Sequence, residues 1–228
     1  MSQALRILSG GAAQGLVGRV QPQFGAAIEG HYGAVGAMRD KLLAGEPCDI
    51  LILSDALVRE LEAAGHVRAG SARPIGDVQT GVALKTGAAA PPLAAAADLE
   101  HLLASAAEIY FPDPAKATAG IHFMKVLTAL GLAATHASRF RTFPNGATAM
   151  AALARTTEPG AVGCTQVTEI LITPGVQLVG LLPAPHSLAT TYTAAVATKA
   201  TQPDAAMRLV ELLCGAASAE ARAQAGFS

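Results

Sequence analysis

The sequence is poor in most of what specialised surfaces are built from. Tryptophan is absent, aromatic residues make up 4% and charged residues 14% of the 228 positions, and the formal net charge is −1. A nucleic-acid surface needs a basic face to displace counterions from phosphate, so this balance predicts no nucleic-acid partner. No run approaches the roughly 18 to 20 apolar residues needed to span a bilayer, and the chain is expected not to be membrane-embedded. Cysteine is scarce and odd in number. Cys48, Cys164 and Cys214 are widely spaced and fit neither a disulfide framework nor a zinc site, so they read as free thiols. Met1 to Leu8 runs straight into a strand-like pattern, with no basic n-region, apolar h-region or cleavage site. As written this predicts a cytoplasmic chain, or a periplasmic one if a leader has been removed. Enzyme signatures are missing too: no Gly-x-Ser-x-Gly elbow, no phosphate loop ending in Gly-Lys-Ser/Thr, no His-Glu-x-x-His and no histidine pair at metal-ligand spacing. No cofactor and no metal are expected, and a monomer is.

What is abundant is small and apolar. Half of the residues are hydrophobic, much of that alanine, and glycine adds 23 more. A core of small residues lets helices sit close to a sheet. Apolar runs alternate with helical patterns along the chain. Strands are predicted at Leu5 to Leu8, Ala27 to His31, Asp49 to Leu53, Val82 to Leu84, Ile109 to Phe111, Phe140 to Phe143, Ala161 to Cys164, Gln177 to Leu182 and Thr191 to Ala197. Helices are predicted from about Ala13, over Ala34 to Leu43, from a cap at Asp55 to Ala64, from about Ala119 to Leu130, over Ala147 to Ala154, and over Asp204 to Leu213 and Ala219 to Ala225. Gly87 to Ala96 reads as a loose stretch. Strands regularly followed by helices imply an α/β fold with a mainly parallel sheet and right-handed crossovers. Ligands of such folds bind at the carboxyl ends of the strands, where helices start.

Four strand-to-helix turns share a composition of small residues with a few hydroxyls or amides. They are Ser9-Gly10-Gly11-Ala12, Gly33-Ala34-Val35-Gly36, Ala117-Thr118-Ala119-Gly120 and Asn145-Gly146-Ala147-Thr148. Each places backbone N–H groups at a helix start, where unsatisfied donors and the helix dipole suit an anion. Tight-turn packing is the competing explanation for any one of them. Arg39, one turn into its helix, can offer a bidentate fork to a carboxylate or simply pair with Asp40 or Glu46. Lys116 precedes Thr118. Asn145 and Thr118 suit helix capping as well as a ligand. Gln166 and Thr168 are neutral donors at a strand end. His122, at the start of a helix, is either a general base or a core histidine, and His31 and Tyr32 flank the second turn.

These residues carry a resemblance. The opening strand and glycine turn, the run Ala44-Gly45-Glu46-Pro47-Cys48-Asp49-Ile50, Asp113-Pro114 leading to Ala119-Gly120-Ile121, and the Gly226-Phe227 ending resemble the molybdate-binding branch of the type II periplasmic binding proteins over nearly the whole length. The resemblance implies a two-lobed fold, with residues 1–86 plus 183–228 in one lobe, residues 87–182 in the other, and an anion in the cleft. A first crossing is expected around Lys85 to Gly87. It also implies presentation of that anion to an ABC transporter permease. Molybdate-type binders usually offer serine hydroxyls at the first two turns and a tyrosine on a late strand. Here Ala12, with Ser9 nearby, and Ala34, Val35 and Gly36 stand at the turns, and the tyrosine falls near Cys164, with Gln166 and Thr168 after it. An organic anion is therefore at least as well matched as an oxyanion. A binding protein is favoured over an enzyme on the same fold, such as an isomerase of an unsaturated tricarboxylate like aconitate, for which His122, Lys116 and Arg39 are the candidate catalytic residues.

Overall fold

Secondary structure alternates from β1 onward in the computed structural model, which describes residues 4–228; Met1 to Gln3, the start of the opening run, lie outside the described residues. In chain order the elements are β1 (Leu5–Gly10), a 3-10 turn (Gly11–Ala13), α1 (Gln14–Phe24), β2 (Ile28–Gly33), α2 (Val35–Leu43), β3 (Ile50–Ser54), α3 (Asp55–Ala63), β4 (Arg73–Lys85) and α4 (Ala96–Ser105). They continue with β5 (Ile109–Pro112), α5 (Thr118–Ala129), α6 (Leu132–Thr135), β6 (Phe140–Phe143), α7 (Gly146–Arg155), β7 (Val162–Gln166), α8 (Val167–Leu171), β8 (Val176–Leu181), β9 (Ala189–Val196), α9 (Pro203–Cys214) and α10 (Ala219–Ala225). The chain forms two units: one up to Val78 together with Thr190–Ser228, the other Gln79–Ala189. Residues 85–87 end β4 and form the turn after it, inside the second unit.

In the first unit β1 lies between β2 and β3, parallel to both, and β9 pairs antiparallel with β3. Ile50 to Leu53 are completely buried, as an unbroken apolar strand covered on both faces requires. Leu16, Val17 and Val20 of α1 and Leu209, Val210 and Leu213 of α9 close on this sheet in one apolar cluster.

The Ala-Gly-x-Pro-x-Asp run has a structural explanation. Gly45 stands at φ +89° just past α2, and the Gly45 and Glu46 N–H groups donate back to Leu42 and Lys41 at 3.0 Å, a Schellman end. Asp49, buried, then gathers three segments. Its Oδ2 accepts from Arg6 N at 2.9 Å, and its Oδ1 accepts from Thr201 N at 2.7 Å, Thr201 Oγ1 at 3.0 Å and Gln202 N at 3.4 Å.

In the second unit β7, β5 and β6 are parallel, and β4 pairs antiparallel with both β7 and β8. One face of this sheet packs Val82, Phe111 and Val162 against Leu99 and Leu103 of α4 and Phe123 and Val126 of α5. Phe111 meets Phe123 edge-on at 5.4 Å. The other face packs Ala83 and Tyr110 against Met150 and Leu153 of α7 and Ile170 of α8.

Two expectations need correction, and one helix has no counterpart among them. The short strand at Val82 to Leu84 is the end of a 13-residue strand that starts at Arg73, because Pro74, Gly76 and the polar Asp77, Gln79 and Thr80 mask its alternation. The apolar segment after the loose stretch is a helix, α4, closed at its start by the Asp98 carboxylate on Ala94 and Ala95 N–H. Asp55 is not the cap of α3. Ser54 stands at the cap position and makes no side-chain cap bond, while the Asp55 carboxylate accepts from Thr193 Oγ1 at 3.0 Å and pairs with Arg59 at 2.6 Å.

Candidate functional site

The parallel strands of each unit end where the next helix begins, so the helix starts gather at the carboxyl edge of each sheet. In the first unit the 3-10 turn Gly11–Ala13, α2 and α3 all start without a side-chain cap. Side chains close tightly over the glycines there. A Cβ on Gly10 would lie 2.9 Å from both Tyr192 Cε1 and Val35 Cγ1, and one on Gly33 would lie 2.8 Å from Met38 Cε. Ala12, Ala34 and Val35 are buried and Gly36 is partly exposed.

Polar side chains near these turns are engaged within the protein. The completely buried Ser9 hydroxyl donates to the Gly10 carbonyl at 2.8 Å. Arg39 donates to Asp40 Oδ1 through Nη2 at 2.9 Å and Nε at 3.3 Å, the pairing that competes with carboxylate recognition. His31 sits 2.8 Å from Glu46, which Lys41 also holds at 2.9 Å, and the Tyr32 ring covers Gly30.

In the second unit α5 starts from Ala117 with no side-chain cap. Thr118 opens the helix, Ala119 and Gly120 are buried, and Lys116 is exposed in the turn that Asp113 holds through Ala115 N and Lys116 N. His122 Nε2 lies 2.7 Å from the His186 carbonyl, which accepts only, so Nε2 carries the proton and Nδ1 is the basic nitrogen. Gln166 ends β7 and Thr168 follows in α8, both buried.

The fourth turn differs from what its composition suggests. Asn145 and Thr148 form a capping box, with Asn145 Oδ1 accepting from Thr148 N at 2.9 Å. Gly146 N donates to Glu169 Oε1 at 3.2 Å, and Ala147 N bonds the same carboxylate. The start of α7 is thus occupied by a carboxyl group from the chain itself, and Ala147 and Asn145 have partners of their own.

Glu169 is the ionisable group that sequence reasoning missed. Burial pushes its carboxyl above the usual range, and hydrogen bonds from Thr165, Ala147, Gly146 and Gln166 pull against that shift without cancelling it. A carboxyl whose folded pKa is raised stabilises the fold below the unfolded pKa, and that contribution is lost as pH rises toward the folded value. Glu169→Gln should therefore gain stability relative to the unaltered chain as pH rises above about 4.5, the ordinary glutamate range. Urea denaturation at pH 4 and pH 8 measures this, and a pH-independent difference would contradict it.

Burial pushes the Cys48 thiol to about 12, the Cys214 thiol to about 11 and the Cys164 thiol well above its usual value, so none is suited to act as a thiolate nucleophile. Among the described residues no group of three His, Cys, Asp or Glu side chains is placed to hold a metal ion, and no helix is long and apolar enough to cross a membrane.

Comparison with known proteins agrees with this architecture. An aconitate isomerase from a Pseudomonas species is 25% identical over 233 residues, covering 98% of this chain and 87% of that protein. The periplasmic molybdate-binding protein of Azotobacter vinelandii superposes with a TM-score of 0.81 at 19% identity over 98% of both chains. The sulfate-binding protein of Mycobacterium tuberculosis superposes with a TM-score of 0.74 at 18% identity, over 99% of this chain and 86% of that one. The resemblance read from the glycine turns and the two aspartate motifs thus extends to the fold. With the family model matched across residues 5–228, the chain belongs to the bacterial extracellular solute-binding proteins.

Proposed function

We propose that this protein captures a small anion, a carboxylate or an oxyanion, and delivers it to an ABC-type transporter, with the periplasm as its working compartment. The carrying observation is the set of uncapped helix starts built from small residues at the carboxyl edges of both sheets, at Gly10 to Ala12, Ala34 to Gly36 and Thr118 to Gly120. Such starts present backbone donors and a positive dipole end without a counter-charge. Molybdate and sulfate binding by the two structural neighbours supports an anionic ligand. Thermal denaturation with molybdate, sulfate, citrate and cis-aconitate tests the reading. A ligand at about 100 times its dissociation constant should add about 2.7 kcal/mol of stability. No shift with any of the four would count against capture of such anions.

The aconitate isomerase likeness along the whole chain favours a second reading, in which the bound anion is turned over. A cis-to-trans shift of aconitate needs a proton removed from the methylene and one returned at the far end of the allylic system, with the carboxylates anchored. His122 Nδ1 is the candidate base, and Lys116 and Arg39 the candidate anchors. Incubation with cis-aconitate, followed by proton NMR, decides. Appearance of the trans isomer, and its loss in His122→Gln, is expected on this reading, and unchanged substrate dismisses it.

A further inference from the structure

We infer that the Thr80 hydroxyl and the first-turn N–H groups of α5 grip one anionic oxygen of the ligand together, which makes Thr80 a binding residue. The inference rests on the anion reading above. Thr80 is 1% exposed, and its Oγ1 has no hydrogen-bond partner among the described residues. A buried hydroxyl without a partner carries its desolvation penalty uncompensated, and such groups are rare unless something absent completes them.

The position of Thr80 shows where that partner would sit. Along β4, Val82 and Leu84 pack with Phe123 and Val126 of α5, while Ala83 packs on the opposite face with Met150. Two residues before Val82, Thr80 therefore shares the face that α5 covers. Its cross-strand partner is Gln166, the last residue of β7, so Thr80 lies at the carboxyl end of the parallel strands, where α5 begins after β5. One short segment ties the two together. The Leu188 carbonyl accepts from Thr80 N at 3.0 Å, and the His186 carbonyl holds His122 of α5 at 2.7 Å. The 12-residue α5 starts from Ala117 without a side-chain cap, so the N–H groups of Thr118, Ala119 and Gly120 have no partner within the helix. A hydroxyl on the face that α5 covers and the amide donors of the α5 start, both at the carboxyl end of this sheet, suit a single carboxylate or oxyanion oxygen.

The test is calorimetric titration of the full chain with molybdate, sulfate and cis-aconitate, using the unaltered protein, Thr80→Val and Thr80→Ser. The anion that binds identifies the source of the oxygen. For that anion Thr80→Val should bind roughly tenfold to hundredfold more weakly, and Thr80→Ser within about threefold of the unaltered chain. The unliganded Thr80→Val protein should melt no lower than the unaltered one, because an isosteric change removes only an unpartnered polar group. Equal affinity in Thr80→Val overturns the role of Thr80 while leaving anion capture standing. Failure of the unaltered chain to bind any of the three overturns the subsite, and failure to bind citrate as well overturns anion capture. A measurement independent of how the variants fold is the amide proton shift of Thr118, Ala119 and Gly120 on saturation with the bound anion. Downfield movement is expected, and unchanged shifts overturn the subsite.

Discussion

Replacing Gly120 with alanine is expected to destabilise the second unit by about 3 kcal/mol or more, the upper range for a methyl added where it has nowhere to go. A Cβ at this position would overlap the carbonyl groups of Pro112 and Asp113, which are backbone and cannot rotate aside. Asp113 is further fixed, because its Oδ1 accepts from Ala115 N at 2.7 Å and its carbonyl accepts from Ala117 N at 3.1 Å. The Asp-Pro and Ala-Gly-Ile parts of the motif thus form one device that presses the first turn of α5 onto the end of β5. Gly18 supplies the control. It lies exposed inside α1, a Cβ there meets nothing within 4 Å, and Gly18→Ala should add up to about 1 kcal/mol through helix propensity alone. Urea denaturation of both variants checks the pair. A Gly120→Ala midpoint equal to that of the unaltered chain would rule out the backbone overlap as the reason for glycine.

That motif also shows what a sequence can reveal and why. The runs around Asp49 and around Gly120 carried the family resemblance, and both fix backbone geometry within a few residues of themselves. Such constraints leave a readable local pattern. Strand ends and helix starts at Gly10, Ala34 and Thr118 were legible for the same reason, since a tight turn needs small residues in series. The occupant of the fourth helix start was not legible. Glu169 reaches Gly146 across 23 positions, and nothing local to Asn145-Gly146-Ala147 distinguishes a turn holding an external anion from one holding an internal carboxylate. Thr80 was hidden differently. Pro74, Gly76 and the polar residues after it obscure the period of β4, so the local pattern does not place Thr80 on the face of Val82. The proposed ligand contacts join residues far apart in the chain, while the architecture is written in short runs.

Asp49→Asn should cost the first unit about 2–4 kcal/mol at neutral pH, because hydrogen bonds to a charged acceptor are the strong ones and their loss leaves buried donors facing a new donor. The carboxylate accepts on both oxygens, from Arg6 N on one side and from Thr201 and Gln202 on the other. An amide can present its oxygen to one side only. Whichever way the substituted side chain turns, its NH2 group opposes either Arg6 N or the Thr201 donors. The effect reaches beyond one loop, since Asp49 links the start of β3 to β1 and to the segment entering α9, and its own carbonyl accepts from Ala197 N at 3.0 Å. The pH dependence follows from opposing contributions. Burial alone would raise the Asp49 pKa, but the donors from Arg6, Thr201 and Gln202 together hold it below the ordinary value of 3.8. A depressed folded pKa means that the charge stabilises the fold above the unfolded pKa, and that this stability is lost as pH falls through the folded value. The gap between the two proteins should therefore be constant from about pH 5 to pH 7 and narrow progressively below about pH 4. Thermal melts across that range measure it. At neutral pH the Asp49→Asn variant should melt about 5–15 °C lower, and an undiminished gap at pH 3 would show that shape rather than charge at Asp49 holds the three segments together.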